Sequence, residues 1–132
     1  MEMYSEMHLI FDNDFDVNEI TESIGINPTE CKSRCETRVS PLTNKQIEGY
    51  WSLKSRVFNE CDIKVVLDDL ISSFANKLSE IKAICDINSG DVVFDIVPSF
   101  CSDNTPAIYF DRDFLDIVHY LNATIQIDMY VN

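Results

Sequence analysis

Glycine occurs three times in the 132 residues and proline four times. So few glycines leave no GxGxxG fingerprint and no Walker loop, the backbone cradles that bind phosphate groups. No apolar run exceeds four residues, which excludes a hydrophobic membrane-spanning helix. Met1 is followed by acidic and polar residues instead of a basic segment and an apolar stretch. A cytoplasmic location is therefore expected, with no membrane partner. Positive charge is also scarce: ten Lys and Arg stand against 23 Asp and Glu, net −13. A phosphate backbone needs a basic face, so nucleic acid is not expected as a partner. The five cysteines are an odd number and read as reduced thiols.

What the chain does have is enough apolar material for one core. The hydrophobic fraction is 45%, and the length fits a single domain over residues 1–132. The charge is blocked. Residues 1–30 carry −8, residues 31–56 carry +4 through Lys32, Arg34, Arg38, Lys45, Lys54 and Arg56, and residues 57–132 carry −9. A long basic loop is expected at about 27–48, with at most a short strand in it, and its role is left open.

Tyr4 to Phe11 alternates, with Ser5, Met7, Leu9 and Phe11 on one face and Tyr4, Glu6, His8 and Ile10 on the other. Asp16 is placed to cap a short helix, with Glu19 as its capping-box partner and Gly25 as its stop. Gly49 to Phe58 alternates again, and Trp51 shares the apolar face with Leu53. Asp62 precedes the longest helical pattern: Ile63, Leu67, Leu70, Phe74, Leu78, Ile81 and Cys85 recur at steps of three and four. A break is expected at Asn76. Val92, Phe94 and Ile96 mark a third strand, with loop or a loose hairpin from Pro98 to Pro106. Asp111 caps a last helix before a strand at Thr124 to Tyr130. Phe15-Asp16 and Phe110-Asp111 open two helices alike.

Alternating strands fit a sheet covered on one side only. The expected fold is α+β, a two-layer sandwich of ferredoxin-like type, mainly antiparallel with its helices on one face. The open face would carry Tyr4, Glu6, His8, Tyr50, Lys54, Arg56, Asp95, Gln126, Asp128 and Tyr130.

Catalytic and metal signatures are weak. Cys31 and Cys35 lack the second short-spaced pair of a zinc site. Asp12, Asp14 and Asp16 resemble the start of a calcium loop, but Val17 and Ser23 stand where it needs glycine and glutamate. Cys35 lies in a basic stretch, yet no Cys–His pairing accompanies it. No catalytic residue, metal or cofactor is expected, and the protein is read as a non-enzyme.

Glu19-Ile20-Thr21, Ile24-Gly25-Ile26 and Pro28-Thr29, in that order, resemble a bacterial family known as domain of unknown function 4279. Tyr50-Trp51-Ser52-Leu53-Lys54-Ser55 is similar to the family's Trp strand, Asp62 to Ile84 to its helix pair, and Gln126-Ile127-Asp128-Met129-Tyr130 to its closing strand. Cys35-Glu36 stands where the family often has a Lys-Gly step. The resemblance implies a small stand-alone bacterial protein and brings no known reaction. By analogy with small acidic bacterial proteins that accompany toxins, the leading expectation is a protein-binding module. It would act as an immunity protein that masks a basic toxin such as a nuclease. Expected contact residues are Asp12, Asp14, Asp68, Asp69 and Asp103, with Tyr4 and Tyr130 as aromatic anchors. The alternative is a small-molecule-binding or regulatory homodimer that uses the open face through His8, Lys54 and Asp128.

Overall fold

The computed structural model describes residues 1–12, 15–32, 49–59 and 62–132. Asp14, Arg34, Cys35, Arg38, Lys45 and Cys61 lie outside these residues, and with them most of the expected basic loop. Strand β1 (Glu2–Phe11) is followed by helix α1 (Val17–Ile24), β2 (Glu30–Lys32) and β3 (Gly49–Lys54). Helix α2 (Ile63–Ser72) and α3 (Leu78–Asn88) are joined by a tight turn over Ala75–Lys77. Then come β4 (Gly90–Phe100), α4 (Arg112–Tyr120), β5 (Thr124–Ile127) and β6 (Tyr130–Val131).

The sheet is mixed and open, in the order β2-β3-β1-β4-β5, with β6 also on β4. β1 pairs antiparallel with β3 and β4, and β2 with β3. β5 and β6 pair parallel with β4. The helices all cover one face. Thr21 of α1 accepts the Trp51 indole N–H (3.1 Å), and the Ser5 hydroxyl donates to the Val66 carbonyl of α2 (3.3 Å). Phe114 of α4 meets Phe94 edge-on with ring centres 5.2 Å apart. The fold is thus the expected two-layer α+β sandwich.

The helix ends follow from the sequence. The Asp16 carboxylate accepts from the Asn18 and Glu19 amides, Asp62 from Lys64 and Asp111 from Phe114. Each satisfies amides that have no partner inside the helix. Gly25 closes α1 at φ 80°, a left-handed conformation that suits glycine. The core holds Met7, Leu9, Phe11, Trp51, Ile63, Leu70, Phe74, Ile81, Phe94 and Phe114, all essentially solvent-free. Gly90 fits here for lack of space: a Cβ would lie 2.6 Å from the Phe11 ring.

The strand expected over Thr124 to Tyr130 is divided into β5 and β6, and two further strands depart from the expected boundaries. β4 runs through Pro98 to Phe100, where a loop is expected. Met3 exchanges both of its backbone hydrogen bonds with Phe58 (2.8 Å each). The Met3–Pro98 pair is therefore a non-hydrogen-bonded one, and the proline nitrogen faces the β5/β6 side. On that side β5 covers Val93–Ile96 and β6 covers Ser99–Phe100, so Pro98 sits at the gap between them. The other of these two is β3, whose regular pairing stops at Lys54 opposite Glu6 and resumes at Phe58 opposite Met3. That spacing inserts one extra residue, a bulge. It takes Arg56 off the open face expected for it and round to α2, where Asp69 binds it.

Candidate functional site

The face opposite the helices is built by the second set of alternating positions. Its central row runs across four strands: Lys54 on β3, Glu6 on β1, Asp95 on β4 and Gln126 on β5. The next row places Ser52, His8, Val93 and Thr124 side by side. On the other side Tyr4 pairs with Val97, and Tyr130 pairs with Ser99. Asp128 joins this group through its own backbone, whose amide donates to the Ile96 carbonyl (2.9 Å).

Internal contacts fix several of these side chains. His8 Nδ1 shares a 2.6 Å hydrogen bond with the Ser52 hydroxyl, and its Nε2 lies 3.7 Å from Glu6 Oε2. The Lys54 ammonium stands 4.0 Å above the centre of the Tyr4 ring. The Gln126 amide donates to Asp128 (3.2 Å). At the β2 side the Tyr50 hydroxyl donates to Glu30 (2.7 Å). Burial, then that hydrogen bond, pushes the Tyr50 hydroxyl up to about 12. Burial, then the charge of Glu6, raises Tyr4, to which Tyr130 also contributes.

Asp95 stands apart. It is only 9% exposed although it lies on the open face, and its Oδ1 is enclosed with no hydrogen-bond partner. Burial pushes its carboxyl up to about 7, helped by a hydrogen bond and charge from Asp128 and by the charge of Glu6. The flanking strands β1, β5 and β6 contain no Lys or Arg. Three carboxyl-bearing residues therefore share strands without Lys or Arg, and among the described residues of that row Lys54, opposite Glu6 on β3, is the one cation.

The expected contact residues divide among separate regions. Tyr4 and Tyr130 share the open face with Asp128, His8 and Lys54. Asp12 is exposed just past β1. Asp103 is exposed in a turn closed by the Asn104 amide on the Cys101 carbonyl (3.0 Å). Asp68 and Asp69 lie on α2 and are already engaged. Lys64 bridges Asp68 and Asp111 at 3.1 and 3.0 Å. Asp69 accepts the Arg56 amide and guanidinium at 2.8 to 3.1 Å, bonds that hold its carboxyl below the usual range. Asp14 is outside the described residues.

Sequence alternation puts Asp95 and Glu6 on this face but does not mark them as a site. Asp95 owes its enclosure to neighbours on three other segments, and no local period displays that. Elsewhere, a cavity of about 110 Å³ lies between α3, the start of β4 and the end of α4, lined by Lys82, Cys85, Asp86, Asp91 and Asn122 among others. Burial pushes the Cys85 thiol up to about 12, which suits a core residue better than a nucleophile. Among the described residues no three His, Cys, Asp or Glu side chains are grouped to hold a metal ion. None of the described helices is long and apolar enough to cross a membrane.

No curated protein and no solved structure matches the chain significantly. A family model matches residues 3–132, essentially the whole chain, and the chain belongs to that family, described as a domain of unknown function (DUF4279).

Proposed function

We propose that this protein is a non-enzymatic binding module that takes a basic protein partner on its open sheet face. The observation that carries the reading is the central carboxyl group of Glu6, Asp95 and Asp128, flanked by Tyr4 and the 59% exposed Tyr130. Carboxylates next to aromatic rings, without a balancing Lys or Arg on the same strands, complement a cationic surface. The net charge of −13 would speed encounter with such a partner at low salt. A basic toxin, a nuclease for example, has that chemistry, since it must carry a positive phosphate-binding surface. Masking would then be occlusion of that surface. On this reading the open face replaces Asp68 and Asp69 as the contact, because those two serve Lys64 and Arg56.

The test is affinity capture from the source cell at low and high salt, with the purified chain as bait. A basic protein should be retained at low salt, lost at high salt, and lost from an Asp128→Lys bait. An Asp68→Lys bait, altered on the helix side by the same charge, should retain it. No basic partner at low salt, or equal retention by the Asp128→Lys bait, would refute the assignment.

A homodimer is the second reading. Ile127, Met129, Tyr130 and Val131 are 37 to 62% exposed along the β5–β6 edge, where unpaired strand backbone can receive another strand. Sedimentation that shows a concentration-dependent dimer, abolished by Met129→Lys, would favour it.

A further inference from the structure

The open-face reading leaves one atom unexplained, the enclosed and unpartnered Oδ1 of Asp95. A buried carboxylate oxygen without a donor is costly, and native structures nearly always supply one. None of the groups on the neighbouring segments donates to it. β1 offers Glu6 and Tyr4, and His8 one pair further along. The β5 side offers Asp128 and the Gln126 amide, and that amide already donates to Asp128. β6 offers Tyr130. The first Lys outward, Lys54 on β3, keeps its ammonium over the Tyr4 ring.

We propose that Asp95 and Asp128 form a receptor for one arginine side chain presented by the protein partner, with Glu6 and the tyrosine rings at its rim. The proposal rests on the open-face reading above and names its recognition element. A guanidinium is planar and carries five N–H donors, so it can serve two carboxyls at once, and on entering it would part the side chains that cover Oδ1. It is less strongly hydrated than an ammonium and stacks on aromatic rings, which suits a half-enclosed place between Tyr4 and Tyr130. The Lys54 ammonium already occupies one face of the Tyr4 ring, so the guanidinium would enter from the Tyr130 side. Binding would also hold the Asp95 carboxyl ionised, so a proton would leave as the arginine enters. Glu6, His8, Lys54, Asp128, Tyr4 and Tyr130 are the titratable groups around that event.

The probe is the blocked tripeptide acetyl-Gly-Arg-Gly-amide, followed by amide NMR at low ionic strength. The citrulline and lysine tripeptides serve as comparisons. The arginine peptide should give saturable shifts at Glu6, Asp95 and Gln126, with proton release near pH 7 measured in weak buffer. Asp95→Asn should weaken binding at least tenfold and abolish the proton release, whereas Asp116→Asn, equal in charge but on α4, should change neither. Folding of each variant is read from the same spectra. Equal shifts with the citrulline peptide, equal affinity for the lysine peptide, or unchanged binding by Asp95→Asn would overturn the proposal. The two readings fail separately. If Asp128→Lys abolishes partner capture while Asp95→Asn binds the peptide as the parent does, the face stands and the arginine receptor falls. If capture ignores Asp128→Lys, the face reading falls whatever the peptide does.

Discussion

Replacing Asp95 by Asn should stabilise the protein by an amount that grows as the pH rises from about 4 to about 7. The native carboxyl lies near 7 because burial, Asp128 and Glu6 all disfavour its charge, whereas an unfolded aspartate titrates near 3.8. Between those values the folded chain holds a proton that the unfolded chain has lost. Stability from this group is therefore present in acid and declines as the pH rises from about 4 to about 7. The full displacement would correspond to about 4 kcal/mol, and solvent relaxation around the half-exposed neighbours reduces the working figure to about 2 kcal/mol. Asparagine has nearly the same shape and keeps a donor toward Asp128, so packing is conserved. Urea unfolding at pH 8 should show the variant more stable by about 2 kcal/mol, or a melting temperature higher by about 6–8 °C for a domain of this size. At pH 4 the two proteins should coincide within about 0.5 kcal/mol. No gain at pH 8, or the same gain at both pH values, would refute the claim that the carboxyl is held above its ordinary range.

Three further outcomes follow from particular contacts. Gly90→Ala places a methyl against the Phe11 ring and should cost about 1–3 kcal/mol in denaturant unfolding. A Phe11→Leu background should reduce that increment, and an undiminished cost would point to another cause. Asp69→Asn weakens the tie to Arg56 at the β3 bulge and should cost about 1 kcal/mol at pH 7. Because that carboxyl is held below its usual range, its contribution is present above about pH 4 and fades as acid protonates it, so the cost should vanish in a pH series toward 2. With iodoacetamide at pH 8, peptide mapping should show Cys101, which is exposed, labelled quickly. Cys85, buried and pushed up to about 12, should react only on unfolding. Rapid labelling of Cys85 in the folded protein would contradict its placement.

Patterns of two and of three or four residues carried most of the fold. The alternation of Met7, Leu9 and Phe11 with Glu6, His8 and Ile10 assigns both faces of β1, and the stripe from Ile63 to Cys85 lies on the helix layer as its spacing predicts. The capping aspartates at 16, 62 and 111 were also legible, because a cap is a local bond between a side chain and an amide two or three residues on. What the sequence concealed was non-local. Pro98 reads as a breaker, yet it stays in β4 because its nitrogen meets a gap between two other strands. Arg56 leaves the open face because of one extra residue whose presence shows only against the β1 register. Asp68 and Asp69 read as free surface charge, and their partners Lys64 and Arg56 come into reach through a helix turn and a bulge.

The same distinction bears on how a strongly acidic chain becomes selective. Net charge accelerates encounter with any cation and cannot by itself choose among basic partners. Choice requires charge held where water cannot fully compensate it, so that only a correctly shaped donor relieves the cost. Several acids fail that condition: Asp103 is exposed in a turn, Asp68 and Asp111 share Lys64, and Asp69 is paired with Arg56. Asp95 meets it, since its Oδ1 is enclosed and no Lys or Arg lies on the flanking strands. The −13 would therefore set the rate of approach, and a single carboxyl on β4 would set which partner stays. Added salt should slow association with any basic protein. Asp95→Asn should instead hasten dissociation of the true partner and leave its association rate nearly unchanged, and a change confined to the association rate would mean that Asp95 contributes only to the general field.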